Sequence, residues 1–225
     1  MNTIAHMSDI LCIAESVTQP EWRKELIKLC KLHIHKLANV YTNNEQVYPE
    51  KHTIFEAFNH ADLTDLKVII IGQDPYINGE ANGLAFSVSG GRLPPSLRNI
   101  FKEIEFEYGL KRTDPNLRDW AKQGCLLLNR TLTVLQSKSN SHSQHWLPFT
   151  EDLIRAINDK TNNVVFMLWG SFAQQCEKYI DNKKHLILKH SHPSPLARKP
   201  FVGNGHFQKA NEYLESHGKA PLVWV

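Results

Sequence analysis

Four short apolar runs stand out along the chain, each bounded by polar or turn-forming residues. The runs are Lys67–Ile71, Cys125–Leu128, Val164–Trp169 and His185–Leu188. Short, mostly aliphatic runs of this kind are typical of strands buried on both faces of a parallel sheet. The segments between them have helical patterning: Ser96–Tyr108, Phe149–Asn158 and Phe172–Ile180. Strands that alternate with helices predict an α/β fold with a mainly parallel sheet.

The N-terminal part of the chain also has a helical pattern. Apolar residues recur at helical spacing within Glu21–Leu37, and Pro20 suits the start of a helix. We interpret this segment as a packing helix. No repeat or linker divides the chain, and the polar segment Ser137–Ser143 is typical of an exposed loop. The sequence therefore predicts a single domain.

Composition narrows the class of protein. The chain has 225 residues, of which 41% are hydrophobic and 22% charged, which excludes disordered, collagen-like and disulfide-framework proteins. A chain of this length buries about 70% of its unfolded surface, so it needs no disulfide or structural metal. The net charge of +3 permits nucleic-acid binding without requiring it.

Cysteine spacing and hydropathy indicate in which cellular compartment the protein is expected. The cysteines form no C-x-x-C pair, so a zinc ribbon or redox motif is not supported, and Cys125 is interpreted as a core residue. No apolar run approaches the roughly 18 residues that span a bilayer. The first residues lack the basic start of a signal peptide. We expect no membrane association and a cytoplasmic location, or a nuclear one in a eukaryotic host or virus.

Polar segments follow all four predicted strands. They are GQDPY at Gly72–Tyr76, then Asn129, then Gly170–Ser171, and finally HSHPSPL at His190–Leu196. Ligands of open α/β sheets bind outside the carboxyl ends of the strands. These segments supply a carboxylate, an amide, hydroxyls and imidazoles, so the sequence predicts a functional site at this edge.

The residues taken singly leave alternatives open. Asp74 before Pro75 suits either a base or ion partner, or a residue that initiates a turn. His192 could be a proton donor, Asn129 could read a planar ligand, and Phe86 could stack on one. On position alone a structural role is favoured for these three. Leu196 lies in a basic stretch and would be an exposed apolar tip suited to entering a base stack.

The strings GQDPY, GLAFSV, PPSL, LLLN, LWGS and HPSPL occur in this order. Together they closely resemble family 1 uracil-DNA glycosylases, from about residue 20 to the C-terminus. The resemblance implies a single-domain, doubly wound α/β sandwich around a four-stranded parallel sheet, with residues 21–225 as the catalytic domain and 1–20 as a segment of unknown role. It implies base-excision repair by hydrolysis of the bond between uracil and deoxyribose. The expected enzyme is a monomer without metal or cofactor, acting on single- and double-stranded DNA, with a uracil-mimicking protein as a possible inhibitor.

The resemblance also implies roles for individual residues. Asp74 would stabilise a cationic sugar and position water, and His192 would hydrogen-bond a uracil oxygen as a neutral imidazole. The residues expected to bind uracil are Gln73 through its backbone, Tyr76 against C5, Phe86 by stacking and Asn129 at the base edge. The residues expected to contact DNA are Pro94, Pro95, Ser96, Gly170, Ser171, Ser191, Ser194, Leu196, Arg198 and Lys199, with Leu196 filling the vacated stack.

The sequence departs from the family pattern at three positions. Ile77 and Asn82 stand where histidines are usual, and Ala197 stands where serine is usual. The two loops concerned also look about one residue short. We therefore expect an active enzyme with altered water placement or altered hold on DNA, in which Arg198 and Lys199 compensate by charge.

Two other classes compete with this interpretation. A DNA-binding partner, such as a polymerase processivity subunit, could keep the fold while catalysis is secondary. Retention of Asp74, Asn129 and His192 together with Tyr76 and Phe86 argues against it. An unrelated α/β hydrolase is disfavoured because neither a G-x-S-x-G motif nor a P-loop is present.

Overall fold

The structure, a computed structural model, describes residues 3–41 and 45–225. Its strands are β1 (Val47–Tyr48), β2 (Val68–Gly72), β3 (Cys125–Asn129), β4 (Val134–Leu135), β5 (Val165–Trp169) and β6 (Leu186–His190). Its α-helices are α1 (Thr3–Glu15), α2 (Pro20–Leu37), α3 (Pro95–Tyr108), α4 (Arg118–Lys122), α5 (Ser143–Lys160), α6 (Ser171–Gln174) and α7 (His206–Ser216).

A four-stranded parallel sheet with the order β3-β2-β5-β6 forms the centre of the fold, and helices flank it. This confirms the predicted α/β class and all four predicted strands. β2, β3 and β5 are buried along their whole length, as their aliphatic composition requires. The strands continue past the apolar runs, to Gly72, Asn129 and His190. Backbone pairing explains the extension, because the ladder does not depend on side-chain polarity.

The helices differ more from their predicted bounds. Helix α5 starts at Ser143 rather than Phe149, because the fully buried Trp146 belongs to its first turns. The helix also contains Pro148. The prediction of one helix over Phe172–Ile180 is wrong. Helix α6 ends at Gln174, and a 3₁₀ turn follows at Glu177–Tyr179.

Buried Arg130 gives a physical reason for the early end of α6. Its guanidinium donates to the Phe172 carbonyl at 2.7 Å and to Gln175 Oε1 at 2.9 Å. The Cys176 N–H then bonds the Ala173 carbonyl at 3.0 Å, the spacing of a 3₁₀ turn.

The N-terminal segment contributes to the same core. Ile10, Ala14 and Val17 are buried, and α1 packs against α2. Residues 1 and 2 of the predicted segment 1–20 lie outside the described residues, and its separate role stays a prediction. Cys125 is buried in β3, as expected for a core residue. Among the described residues, no helix has the length and apolar content needed to cross a membrane.

Candidate active site

A cavity of about 250 Å³ opens at the carboxyl ends of the parallel strands. It is lined by Gly72, Gln73, Asp74, Pro75, Tyr76, Ile77, Phe86, Ser96, Asn129, Ser139 and His192. The structure therefore brings together the six residues expected to react with or bind uracil. Strand register explains part of this convergence, because Gly72 lies opposite Asn129 on β2 and β3.

Asn129 is a buried residue of the cavity lining. A Cβ on Gly72 would lie 2.2 Å from Asn129 Oδ1, so only glycine leaves room for this amide. The neighbouring backbone fixes the two strand ends, since the Arg130 N–H donates to the Gly72 carbonyl at 3.1 Å and the Thr131 N–H to the Gln73 carbonyl at 3.0 Å. The amide thus presents its donor and acceptor from a defined position.

Phe86 and Tyr76 form an aromatic part of the lining. Phe86 has a left-handed backbone with φ 64°, a conformation that costs a non-glycine residue about 1 kcal/mol or more. The Tyr76 hydroxyl donates to the Phe86 carbonyl at 3.1 Å and holds this turn. Burial raises the pKa of Tyr76, so its phenol stays a donor. The Phe86 ring lies tilted 6.1 Å from the His192 ring.

Asn82, one of the departures from the family pattern, braces the segment that carries Phe86. Its side chain is buried and donates to Ser87 Oγ at 2.9 Å, and its Oδ1 accepts from the Leu84 N–H at 3.2 Å. Asn82 therefore holds the Leu84 backbone before Phe86 and the Ser87 side chain after it, and it does not line the cavity.

Two residues that the sequence analysis missed hold the Asp74 carboxylate. Ser139 Oγ and the Asn140 N–H each donate to Asp74 Oδ2 at 2.6 Å. Both lie in the segment predicted as an exposed loop, and they are exposed. The Ser137 N–H ties the same loop to the Ile77 carbonyl at 2.9 Å. The sequence offers only a weak signal for this contact, namely small polar residues concentrated soon after β3.

His192 is held in one tautomer. The Ser194 N–H donates to His192 Nδ1 at 3.0 Å, so a neutral ring carries its proton on Nε2. Burial lowers the pKa of His192, and the nearby charge of Asp74 opposes this shift. A Cβ on Gly170 would lie 2.9 Å from His192 Cβ, so glycine is required beside the imidazole. The arrangement supplies a neutral N–H donor near Asp74.

Leu196 lies on an exposed loop beside the cavity, with 93% of its surface accessible. Inside this loop, Ser194 Oγ accepts from the Leu196 N–H at 3.2 Å, and Ser191 Oγ donates to the Pro200 carbonyl at 3.1 Å. Asn99 on α3 donates to the Pro193 carbonyl at 2.8 Å. These bonds hold the loop while its apolar tip stays in solvent.

The remaining predicted DNA contacts surround this loop and the cavity. Pro94 precedes α3, Pro95 begins it, and Ser96 reaches the cavity. Ser171 is exposed at the start of α6. Arg198 and Lys199 are exposed, and with Lys102 they line a recess of about 370 Å³ whose charged residues are all basic.

The residues that the structure describes contain no cluster of three or more histidine, cysteine, aspartate or glutamate side chains that could hold a metal ion. The side chains that line the cavity can perform electrostatic stabilisation and proton transfer, through the Asp74 carboxylate and the neutral His192 imidazole.

Known proteins match this chain over most of its length. Residues 58–215 match the family model of the uracil DNA glycosylase superfamily. The chain is 48% identical over 188 residues to the uracil-DNA glycosylase of Agrobacterium fabrum, covering 81% of this chain and 78% of that protein. The structure of mimivirus uracil-DNA glycosylase superposes with a TM-score of 0.85 at 28% identity, covering 95% of this chain and 88% of that one.

Two further structures are similar. A variant of mimivirus UNG in complex with UGI matches with a TM-score of 0.85 at 28% identity, covering 95% of this chain and 90% of that one. UNG from Nitratifractor salsuginis matches with a TM-score of 0.63 at 20% identity, covering 98% of both chains, which shows a common fold.

Proposed function

This chain belongs to the uracil DNA glycosylase superfamily, and we propose that its cavity at the sheet edge is where it removes uracil from DNA. The reaction hydrolyses the N-glycosidic bond, releasing free uracil and leaving an abasic site. One observation carries the assignment to this cavity. The carboxylate of Asp74, the N–H tautomer of His192 and the amide of Asn129 meet around a single space of about 250 Å³.

Uracil enters this cavity as a flipped base, because a base inside a duplex is out of reach. The Phe86 ring stacks on its face, and the Asn129 amide pairs with its edge. Cytosine presents an amine where uracil presents a carbonyl, so a fixed amide discriminates between them. Tyr76 lies against C5, where the methyl group of thymine would clash. The Gln73 backbone adds hydrogen bonds.

Cleavage of the bond builds positive charge on the sugar and negative charge on the base. The Asp74 carboxylate stabilises the cation and holds the attacking water. His192 donates its Nε2–H to the uracil oxygen on which negative charge develops. A neutral donor suits this task, because it stabilises the charge that develops on the base without binding the uncharged substrate as strongly as an imidazolium would.

DNA is held around the cavity by short loops. Leu196 fills the space that the flipped nucleotide leaves. Backbone N–H groups and hydroxyls contact phosphates from Ser96, Gly170, Ser171, Ser191 and Ser194, while Pro94 and Pro95 shape the loop that presents Ser96. Arg198 and Lys199 add positive charge beside the strand and offset the hydroxyl missing at Ala197.

The expected substrates are single- and double-stranded DNA that contain uracil. The mimivirus relative is known in complex with UGI, and we propose that a uracil-mimicking inhibitor of this kind binds the same edge. The proposed enzyme acts as a monomer. Free, buried thiols at Cys30, Cys125 and Cys176 favour a reducing compartment, cytoplasmic or nuclear.

The test is release of free base from three oligonucleotides that carry uracil, thymine or cytosine at one position. We expect release from the uracil strand alone, unaffected by a chelator. Tight binding to all three strands without release would contradict the proposal and favour a DNA-binding partner.

A further inference from the structure

Ser139 is an exposed residue that lines the rim of the cavity, and its hydroxyl donates to Asp74 Oδ2 at 2.6 Å. That distance is typical of an O–H donor on an ionised carboxylate. We propose that Ser139 is a positioning residue for hydrolysis, which orients both Asp74 and the attacking water. The proposal rests on the function proposed above and concerns the same site.

The contact fixes which oxygen of Asp74 performs the chemistry. The donors from Ser139 and from the Asn140 backbone both bond Oδ2. Oδ1 is therefore the oxygen directed to the reacting centre. Removal of the Ser139 hydroxyl leaves one donor on Oδ2 and allows the carboxylate to rotate about its terminal bond, which is a soft torsion.

The same hydroxyl can orient the water. Its single hydrogen bonds Asp74, so toward water Ser139 can only accept. A water beside Asp74 then directs one hydrogen to Ser139 Oγ and the other to Asp74 Oδ1, and its lone pair is left for C1′ of the sugar. Ile77 lines the same cavity with an apolar side chain and offers no competing polar partner.

The step balances without a further reactant. The water oxygen forms a bond to C1′, and the bond from C1′ to uracil N1 breaks with its electron pair on the base. The water gives one proton to Asp74, while Ser139 keeps its own. Ser139 therefore changes the orientation of the nucleophile without being consumed or ionised.

The experiment compares Ser139→Ala with Ser141→Ala in the full chain. Ser141 is a matched control, because its Oγ accepts from the Leu135 N–H at 2.8 Å and holds the same loop. Single-turnover excision from a uracil oligonucleotide is measured against enzyme concentration, together with inhibition by free uracil. Loss of one hydrogen bond to a charged group predicts a rate about tenfold lower for Ser139→Ala.

In Ser139→Ala we expect no change in the enzyme concentration that gives half of the maximal rate, or in the inhibition constant of free uracil, since the base pocket is intact. Ser141→Ala should keep the wild-type rate, and Ser139→Thr should recover most of the loss because it retains the hydroxyl. Equal rates in all variants, or equal losses for Ser139→Ala and Ser141→Ala, would overturn the role of Ser139 while wild-type excision still supports the proposed function. Absence of excision by the wild-type chain would overturn both.

Discussion

Gly72 and Asn129 lie opposite each other at the ends of β2 and β3, and the hydrogen side chain of the first makes room for the amide of the second. A Cβ on Gly72 would lie 2.2 Å from Asn129 Oδ1 and 3.0 Å from Ala85 Cβ. The space that Asn129 occupies thus explains why residue 72 is a glycine. This contact joins two residues that are far apart along the chain.

Gly72→Ala is expected to displace the Asn129 amide and weaken uracil recognition. The amide can rotate away, so the fold survives while excision falls at least about tenfold, the effect of one misplaced hydrogen-bonding group. Single-turnover rates and inhibition by free uracil measure the effect, with the thermal midpoint as a control. A variant with wild-type excision would show that Asn129 does not need its observed position.

Gly170→Ala is expected to disturb His192. A Cβ at this position would lie 2.9 Å from His192 Cβ, and the backbone φ is 86°. Gly218→Ala is the matched control, because Gly218 has φ 69° and no atom within 4 Å of its added Cβ. Gly218→Ala loses about 1 kcal/mol or more of stability from its positive φ. Gly170→Ala loses more, because φ 86° with ψ 163° is a conformation that is essentially restricted to glycine.

Only Gly170→Ala should lower the excision rate, because only this substitution pushes on the imidazole. Urea unfolding and single-turnover kinetics separate the two effects. If both alanine variants kept the wild-type rate, the packing of Gly170 on His192 would have no catalytic importance.

Acid should destabilise the protein through buried neutral histidines. His206 accepts from Trp169 Nε1 at 3.0 Å, and burial lowers its pKa to about 3. Below the ordinary histidine pKa of about 6.5, the unfolded state binds a proton that the folded state does not. The free energy of unfolding therefore decreases as the pH is lowered. The loss continues from about pH 6.5 down to the folded-state pKa of about 3.

His206→Asn removes this titration while an amide oxygen can still accept from Trp169. Urea unfolding is measured for both proteins between pH 7 and pH 4. As the pH is lowered, the unfolding free energy of the variant should decrease less steeply than that of the wild type, by up to about 1.4 kcal/mol per pH unit. Parallel curves for the two proteins would mean that His206 does not account for the acid sensitivity.

Leu196→Ala should affect duplex substrates more than single strands. The side chain is 93% exposed, so its removal should not change the thermal midpoint. Filling a vacated stack matters only where a stack exists, so we expect at least about a tenfold loss on duplex DNA and a smaller loss on single strands. Leu110, which lies two residues after the end of α3 and is 57% exposed, provides the control variant Leu110→Ala. Equal losses on both substrates would contradict the role given to Leu196.

The sheet could be predicted from the sequence because each strand is a buried aliphatic run whose end is marked by polar residues. The convergence of Asp74, Asn129 and His192 follows from parallel order, since the carboxyl ends of such strands share one edge. Helix α7 was not predicted, although Phe207, Ala210 and Leu214 recur at helical spacing and are buried.

Contacts between distant loops could not be predicted. Ser139 and Asn140 bond Asp74 across 65 and 66 residues, and the small polar residues after β3 do not indicate which residue they would contact. The early end of α6 likewise depends on Arg130, 42 residues before Phe172. Asn82, noted in the sequence as a departure from the family pattern, is a buried brace whose partners only the folded chain identifies.

The most direct test of the account compares the wild-type chain with Asp74→Asn on a single-stranded oligonucleotide that contains one uracil. The substitution keeps the shape and an acceptor for Ser139 but removes the negative charge that stabilises the sugar cation. We predict that single-turnover release of uracil falls at least about a hundredfold, as for loss of one electrostatic group, while binding to the oligonucleotide is unchanged. A variant that released uracil at the wild-type rate would contradict the assignment of Asp74 as the catalytic carboxylate.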